Sequence, residues 1–180
     1  TKSEIYDGPQ ITYESSKWLW IFALLFHYSF LVIVVRHMRL FLDPVPAWIS
    51  WLEMGDGLFQ VGAPNWYITD IGLLAGVVLL FSRRLITRHV RFMSLMNDYF
   101  PLVLIFGIAL SGILMRYFLR TDIDIVNIKQ LAVGLVTFSP TIGAEIGAIF
   151  YIHLFLVCAL LAYFPFSKLM HFAGVFMSPT

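Results

Sequence analysis

The chain has 180 residues, of which 59% are hydrophobic and 17% aromatic, while only 13% are charged and the formal net charge is +1. A soluble domain lies nearer about 45–50% apolar and about 25% charged, so this composition describes a chain dissolved in lipid. It excludes a nucleic-acid-binding surface, which needs a basic surplus on one face, and a large enzyme with its own soluble catalytic module. One cysteine, Cys158, excludes an intrachain disulfide, a Cys-x-x-Cys-His haem attachment and an iron–sulfur cluster held by this chain alone.

The chain opens at Thr1 with no positively charged region ahead of a short apolar stretch, so no signal peptide is read, and the expectation is that its native start lies upstream. Crossing the hydrocarbon core takes about 20 mostly apolar residues in a helix. Four stretches meet or approach that length, at about 18–42, 66–86, 99–120 and 142–166. The first ends in Arg36, His37 and Arg39; the second is edged by Trp66 and Tyr67, as interfacial aromatics are. The third is opened by Asn97 and Asp98 as N-caps, with Pro101 in its first turn. The fourth carries Glu145, His153 and, near its far end, Pro165, where a break is expected. A shorter run over 131–138 belongs in the interface. The predicted fold is an all-α integral membrane protein, a single transmembrane domain over 1–180 built as a four-helix bundle.

Orientation follows from Lys and Arg, which stay on the cytoplasmic side. Lys2, Lys17, Arg83, Arg84, Arg88, Arg91 and Lys168 fall on one side, and Arg36, Arg39, Arg116, Arg120 and Lys129 on the other. Asp43, Glu53, Asp56, Asp70, Asp122, Asp124 and Glu145 join the second group. The connection over residues 82–97 and both chain ends are therefore expected in the cytoplasm of a prokaryotic cell, and the chain in its inner membrane.

Of five histidines, His27 and His37 lie on the first span, and His153 and His171 on or just beyond the fourth. His89 sits in the basic connection and reads as solvated. Ionisable groups within spans are costly and mark a relay, an ion path or a cofactor site, against the plainer role of hydrogen-bonded packing. Spans one and four run in opposite directions, so His37 faces His153 near the outer leaflet and His27 faces His171 near the inner one. Two imidazoles on one iron describe a low-spin haem b, which transfers electrons and binds no substrate at its iron. The intervals of ten and eighteen residues rise about 15 and about 27 Å in ideal helices, so both pairs are level only if the second interval is broken or redirected, as at Pro165.

These residues carry a family resemblance. Residues 18–39, WLWIFALLFHYSFLVIVVRHMR, and 149–180, with their FPFSKLMH element, resemble the two haem-bearing helices of the respiratory nitrate reductase gamma-subunit family. NDYFPL and LVTFSP are similar to one of its subgroups, the membrane haem b subunits (DsrM type) of sulfite-reduction-associated, menaquinol-oxidising complexes. The resemblance implies a dihaem cytochrome b that exchanges electrons with menaquinol near the outer face and passes them to a cytoplasmic iron–sulfur subunit, with further membrane and extracytoplasmic redox subunits in the complex. It assigns His27 and His171 to the inner haem and His37 and His153 to the outer one. The family has one more helix before the first haem helix, expected upstream of this chain. The family pattern has a glycine immediately before the second haem histidine, where this chain has Arg36.

Haem propionates are anionic, so Arg36, Arg39, Arg116 and Arg120 are candidates outside and Lys168 inside, against ordinary snorkelling. Asp43, Glu53, Asp56 and Glu145 are the carboxylates near the outer haem and read as solvated loop acids. Arg83, Arg84, Arg88 and Arg91 suit either an acidic partner face or anionic lipid. Two other classes remain open: a proton or metal-ion transporter whose histidines carry the ion, and a membrane anchor whose histidines only pack.

Overall fold

The computed structural model describes residues 2–7, 10–15, 17–57, 66–119, 124–143 and 146–170. They form helices and one two-stranded sheet, which the all-helical expectation lacked. Strands β1 (Lys2–Asp7) and β2 (Gln10–Ser15) pair antiparallel from Lys2 opposite Ser15 to Asp7 opposite Gln10. Ile5, Tyr6, Ile11, Thr12 and Tyr13 are strand formers, and only two residues separate the strands, a hairpin spacing.

Helix α1 (Lys17–His37) contains no glycine or proline and runs on through a 3-10 turn, Met38–Leu40. Its buried positions, Phe26, Ser29, Val32 and Arg36, recur every three or four residues and so form one stripe. Short α2 (Ala47–Asp56) follows, its Ile49 fully buried. Helix α3 (Ile68–Ile86) lays Gly72, Leu73, Gly76 and Val77 against α1 and α5. The sequence GLLAG over 72–76 is the close-approach pattern of membrane helices. A Cβ at Gly76 would lie 3.1 Å from the Phe26 Cα, and one at Gly72 2.6 Å from the Ser29 hydroxyl. Gly76→Val is therefore expected to force α1 and α3 apart and lower stability by about 1–3 kcal/mol, checked by thermal unfolding in detergent.

After α4 (Arg88–Met93), α5 (Met96–Ile113) starts three residues earlier than expected. Asn97 and Asp98 are not its caps: Leu95 holds that position, and Asp98, in the first turn, accepts the Leu95 N–H at 2.9 Å. Pro101 consequently falls in the second turn, buried and without breaking the helix. A π-turn, Leu114–Phe118, widens the end of α5. Helix α6 (Ile125–Val136), capped by the Asp124 carboxylate, takes in most of the short run expected at the interface.

Helix α7 (Ala148–Tyr163) starts later than expected because Pro140, Gly143 and Gly147 precede it. Its end confirms the break at Pro165: 3-10 turns Phe164–Phe166 and Lys168–Met170 flank an extended Ser167. The contacts Arg36 to Asp70, Phe81 to Tyr99 and Ser111 to His153 make α1, α3, α5 and α7 successively antiparallel. Phe26, Leu73, Val77, Leu104, Ile105, Ala109 and Leu160 form their common core. Among the described residues three helices are long and apolar enough to cross a membrane, Lys17–Leu40, Met96–Phe118 and Ala148–Phe166. The expected second span lies on α3, which has Asp70 in its first turn and Arg83 and Arg84 in its last.

Candidate functional site

His37, one residue from the buried stripe of α1, and His153, on the second turn of α7, meet with ring centres 6.5 Å apart and planes within 13°. The His37 Nδ1–H donates to the Ile33 carbonyl at 2.7 Å. The Ser111 hydroxyl donates to the Ile108 carbonyl at 3.0 Å and accepts the His153 Nδ1–H at 2.9 Å. A carbonyl only accepts, so the neutral rings carry their proton on Nδ1 and their lone pair on Nε2, the arrangement that prepares an imidazole to ligate a metal. Two metal–nitrogen bonds of about 2 Å, with about 1.1 Å from each nitrogen to its ring centre, set two axial imidazoles about 6 Å apart, close to the spacing found. Gly112 of α5 lies alongside the ring: a Cβ there would stand 3.4 Å from the His153 Cε1, in van der Waals contact. The donor set fits an iron with two axial histidines.

The inner pair is only half described. His27, ten residues before His37, donates its Nδ1–H to the Ala23 carbonyl at 2.6 Å, the bond that His37 makes to its own helix. His171, Arg120, Asp122 and Glu145 lie outside the described residues. No cluster of three or more His, Cys, Asp or Glu that could hold a metal ion occurs among the described residues.

Beside His37 stands an ionic cluster. Arg36 is buried, one terminal nitrogen on the Asp56 carboxylate and the other on Asp70 at 2.9 Å. The Asp56 carboxylate also takes the Thr69 N–H at 3.0 Å and the Thr69 hydroxyl. The second Asp70 oxygen accepts the Tyr117 hydroxyl at 2.8 Å, and that hydroxyl accepts the Tyr67 N–H at 3.0 Å. The guanidinium carbons of Arg36 and Arg116 lie 3.8 and 3.9 Å from the centre of the Tyr67 ring, which makes a cation–π contact with each. Trp66 stacks on Tyr117 at 4.2 Å. The π-turn brings Arg116 and Tyr117, adjacent in sequence, to this one cluster, and such turns are frequent at functional sites.

Several sequence expectations change here. Asp56 is no solvated loop acid but a buried partner of Arg36, and Glu53 is the 2.8 Å partner of Arg39. Lys168 pairs with Asp98 at 2.9 Å, and Lys129 with Asp43 at 3.2 Å. Among the described residues, Arg36, Arg39 and Lys129 pair with Asp43, Glu53, Asp56 and Asp70 at one end of the bundle, while Arg83, Arg84 and Lys168 stand at the other. Sequence reasoning took Tyr67 only as an interfacial aromatic and did not single out Tyr117, which carries no signal of its own, whereas Asp70 within a span and GLLAG were readable signals.

Two curated proteins are similar to nearly the whole chain. The Hdr-like menaquinol oxidoreductase cytochrome b-like subunit of Archaeoglobus fulgidus is 41% identical over 183 residues, covering 99% of this chain and 54% of that protein. Its namesake from Archaeoglobus profundus is 43% identical over 169 residues, covering 92% of this chain and 50% of that protein. The chain thus spans about half the length of these curated relatives. The sequence pattern of the nitrate reductase gamma subunit matches residues 10–179, from the second strand past both histidine-bearing helices. With that match over nearly its whole length, the chain belongs to the nitrate reductase gamma subunit family.

Proposed function

We propose that the chain is the membrane part of a quinol-oxidising oxidoreductase. In this reading it takes electrons from menaquinol near the end that carries Arg36 and passes them through two non-covalent haem b groups to a cytoplasmic iron–sulfur subunit. The observation that carries the reading is the His37–His153 pair, two near-parallel imidazoles 6.5 Å apart. Held by His37 and His153, a haem would supply one-electron transfer.

The chain's own residues do the rest. Helices α1 and α7 bring the two outer imidazoles together, and the Ile33 carbonyl and Ser111 fix their tautomer. The Arg36 cluster ties the ends of α1, α2, α3 and α5 around the first. His27 and His171 form the inner pair. Arg116 Nε is buried with no hydrogen-bond partner among the described residues, which suits an anionic carboxylate such as a haem propionate. Arg39 stands on the same end as a second cation for it. Helix α3 completes four spans, since Asp70 is neutralised by Arg36 and Arg83 and Arg84 stand in its last turn.

The names of the relatives support menaquinol as substrate and a b-type haem as cofactor. Sulfite-reduction-linked respiration, additional membrane and extracytoplasmic redox subunits, and a prokaryotic cytoplasmic membrane with residues 82–97 inside complete the proposal. The test is a reduced-minus-oxidised spectrum of the purified full-length protein with a pyridine haemochrome assay. Two b-type haems per chain, reducible by a menaquinol analogue, are expected; a folded preparation without haem overturns the reading.

A further inference from the structure

We propose that Ser111 is a positioning residue for His153, setting the plane of its ring and its strength as a ligand from the neighbouring helix; the inference rests on the dihaem reading above. The two histidines of α1 are oriented by their own helix. His27 donates its Nδ1–H to the Ala23 carbonyl at 2.6 Å and His37 to the Ile33 carbonyl at 2.7 Å, four residues back in each case. The acceptor is backbone, so it depends on no particular side chain.

His153 is held differently. Its Nδ1–H crosses from α7 to α5 and reaches the Ser111 hydroxyl at 2.9 Å, 42 residues away in sequence. The Ile108 carbonyl faces the same ring, and a carbonyl only accepts, so the proton stands on Nδ1 and Nε2 keeps its lone pair. Ser111 is buried, and its own proton goes to the Ile108 carbonyl at 3.0 Å. A hydroxyl that already donates is polarised into a better acceptor. A Cβ at Gly112 would stand 3.4 Å from the Cε1 beside that nitrogen, so α5 runs along this edge of the imidazole. The near-parallel setting of His37 and His153 therefore rests on one bond within α1 and one between α5 and α7. A hydrogen bond at the second nitrogen of a ligating imidazole fixes its plane and raises its basicity, and a more basic ligand favours ferric iron. Ser111 thus holds the ring plane of His153 fixed and the potential of the outer pair low. Alanine there leaves the Nδ1–H with the Ile108 carbonyl alone.

The test uses the full-length protein with Ser111→Ala and Ser111→Thr. The midpoint potential and the low-spin electron paramagnetic resonance signal of each haem are read, together with the rate at which haem passes to excess apomyoglobin. Ser111→Ala is expected to raise the outer potential, shift the outer signal and speed loss of that haem about tenfold, the lower end of the usual effect of removing such a partner, with the other haem unmoved. Ser111→Thr keeps a hydroxyl that can bond the carbonyl three residues back, and is expected to restore all three readings. Unmoved outer values in Ser111→Ala overturn the proposal, as do equal shifts in both haems, which report the packing of the bundle. A Ser111→Thr variant that behaves as Ser111→Ala overturns it as well. Wild-type protein without haem sinks the dihaem reading itself, and two haems retained in His153→Ala sink the pairing, both before any Ser111 variant is compared.

Discussion

Replacing His153 with Ala is expected to halve the haem content of the protein and to remove the outer low-spin signal while the inner one persists. In the proposed pairing His153 and His37 would hold one haem between them, and the remaining imidazole alone would not retain it. His37→Ala is expected to give the same result by the same route. The alanine also leaves Ser111 without its partner, though its hydroxyl keeps the Ile108 carbonyl, so this loss falls within the usual range of about 0.5–1.5 kcal/mol for one hydrogen bond. The fold should survive. Haemochrome assay and spectroscopy on the purified variants check both outcomes, and retention of both haems in either variant removes the assigned pairing. If the histidines only packed or carried protons, neither substitution would change a haem signal.

The second large effect is expected at Arg36, and it bears on stability first. Arg36→Ala leaves Asp56 and Asp70 as two buried carboxylates whose shared cation is gone. Breaking a buried ion pair by removing one partner costs about 3–5 kcal/mol, because an uncompensated charge stays behind. Against a typical total of about 5–15 kcal/mol, that is enough to lower the melting temperature in detergent sharply. Arg36→Lys is expected to lose less but not to restore the wild type, since a single ammonium does not reproduce the fork that reaches both carboxylates. The control is Arg36→Met combined with Asp56→Asn and Asp70→Asn, which removes the stranded charges and is expected to recover much of the loss. A triple variant no more stable than Arg36→Ala would show that the cluster acts through packing on Tyr67 and not through charge. Because Arg36 adjoins His37, the outer haem signal should broaden in Arg36→Ala while the inner one stays.

Membership of the class was legible without any tertiary contact. A chain with few charges and long apolar runs has to satisfy its backbone inside helices when its surroundings are lipid, so α1, α5 and α7 follow from composition and length. The histidine spacings were equally readable, because a costly residue in an apolar run is itself a signal. The break at Pro165 was readable for the same reason as the span it ends: a proline lacks the donor that the helix needs.

Other features depend on residues far apart in sequence. Asp56 looked like a loop acid because nothing near it in sequence shows that α2 folds back onto α1 and delivers it to Arg36, 20 residues away. Tyr117 gave no sign of its role, which arises only because the π-turn rotates it beside Arg116 onto the Asp70 carboxylate. Ser111 gains its role only because α7 sets His153 against it, 42 residues on. Local propensity and hydropathy act over a few turns of chain, so the sequence by itself determined the helices, their solvent and the residue types fit for a cofactor. Which carboxylate meets which cation, and which group orients each imidazole, is a matter of antiparallel packing, and only the tertiary structure decided it.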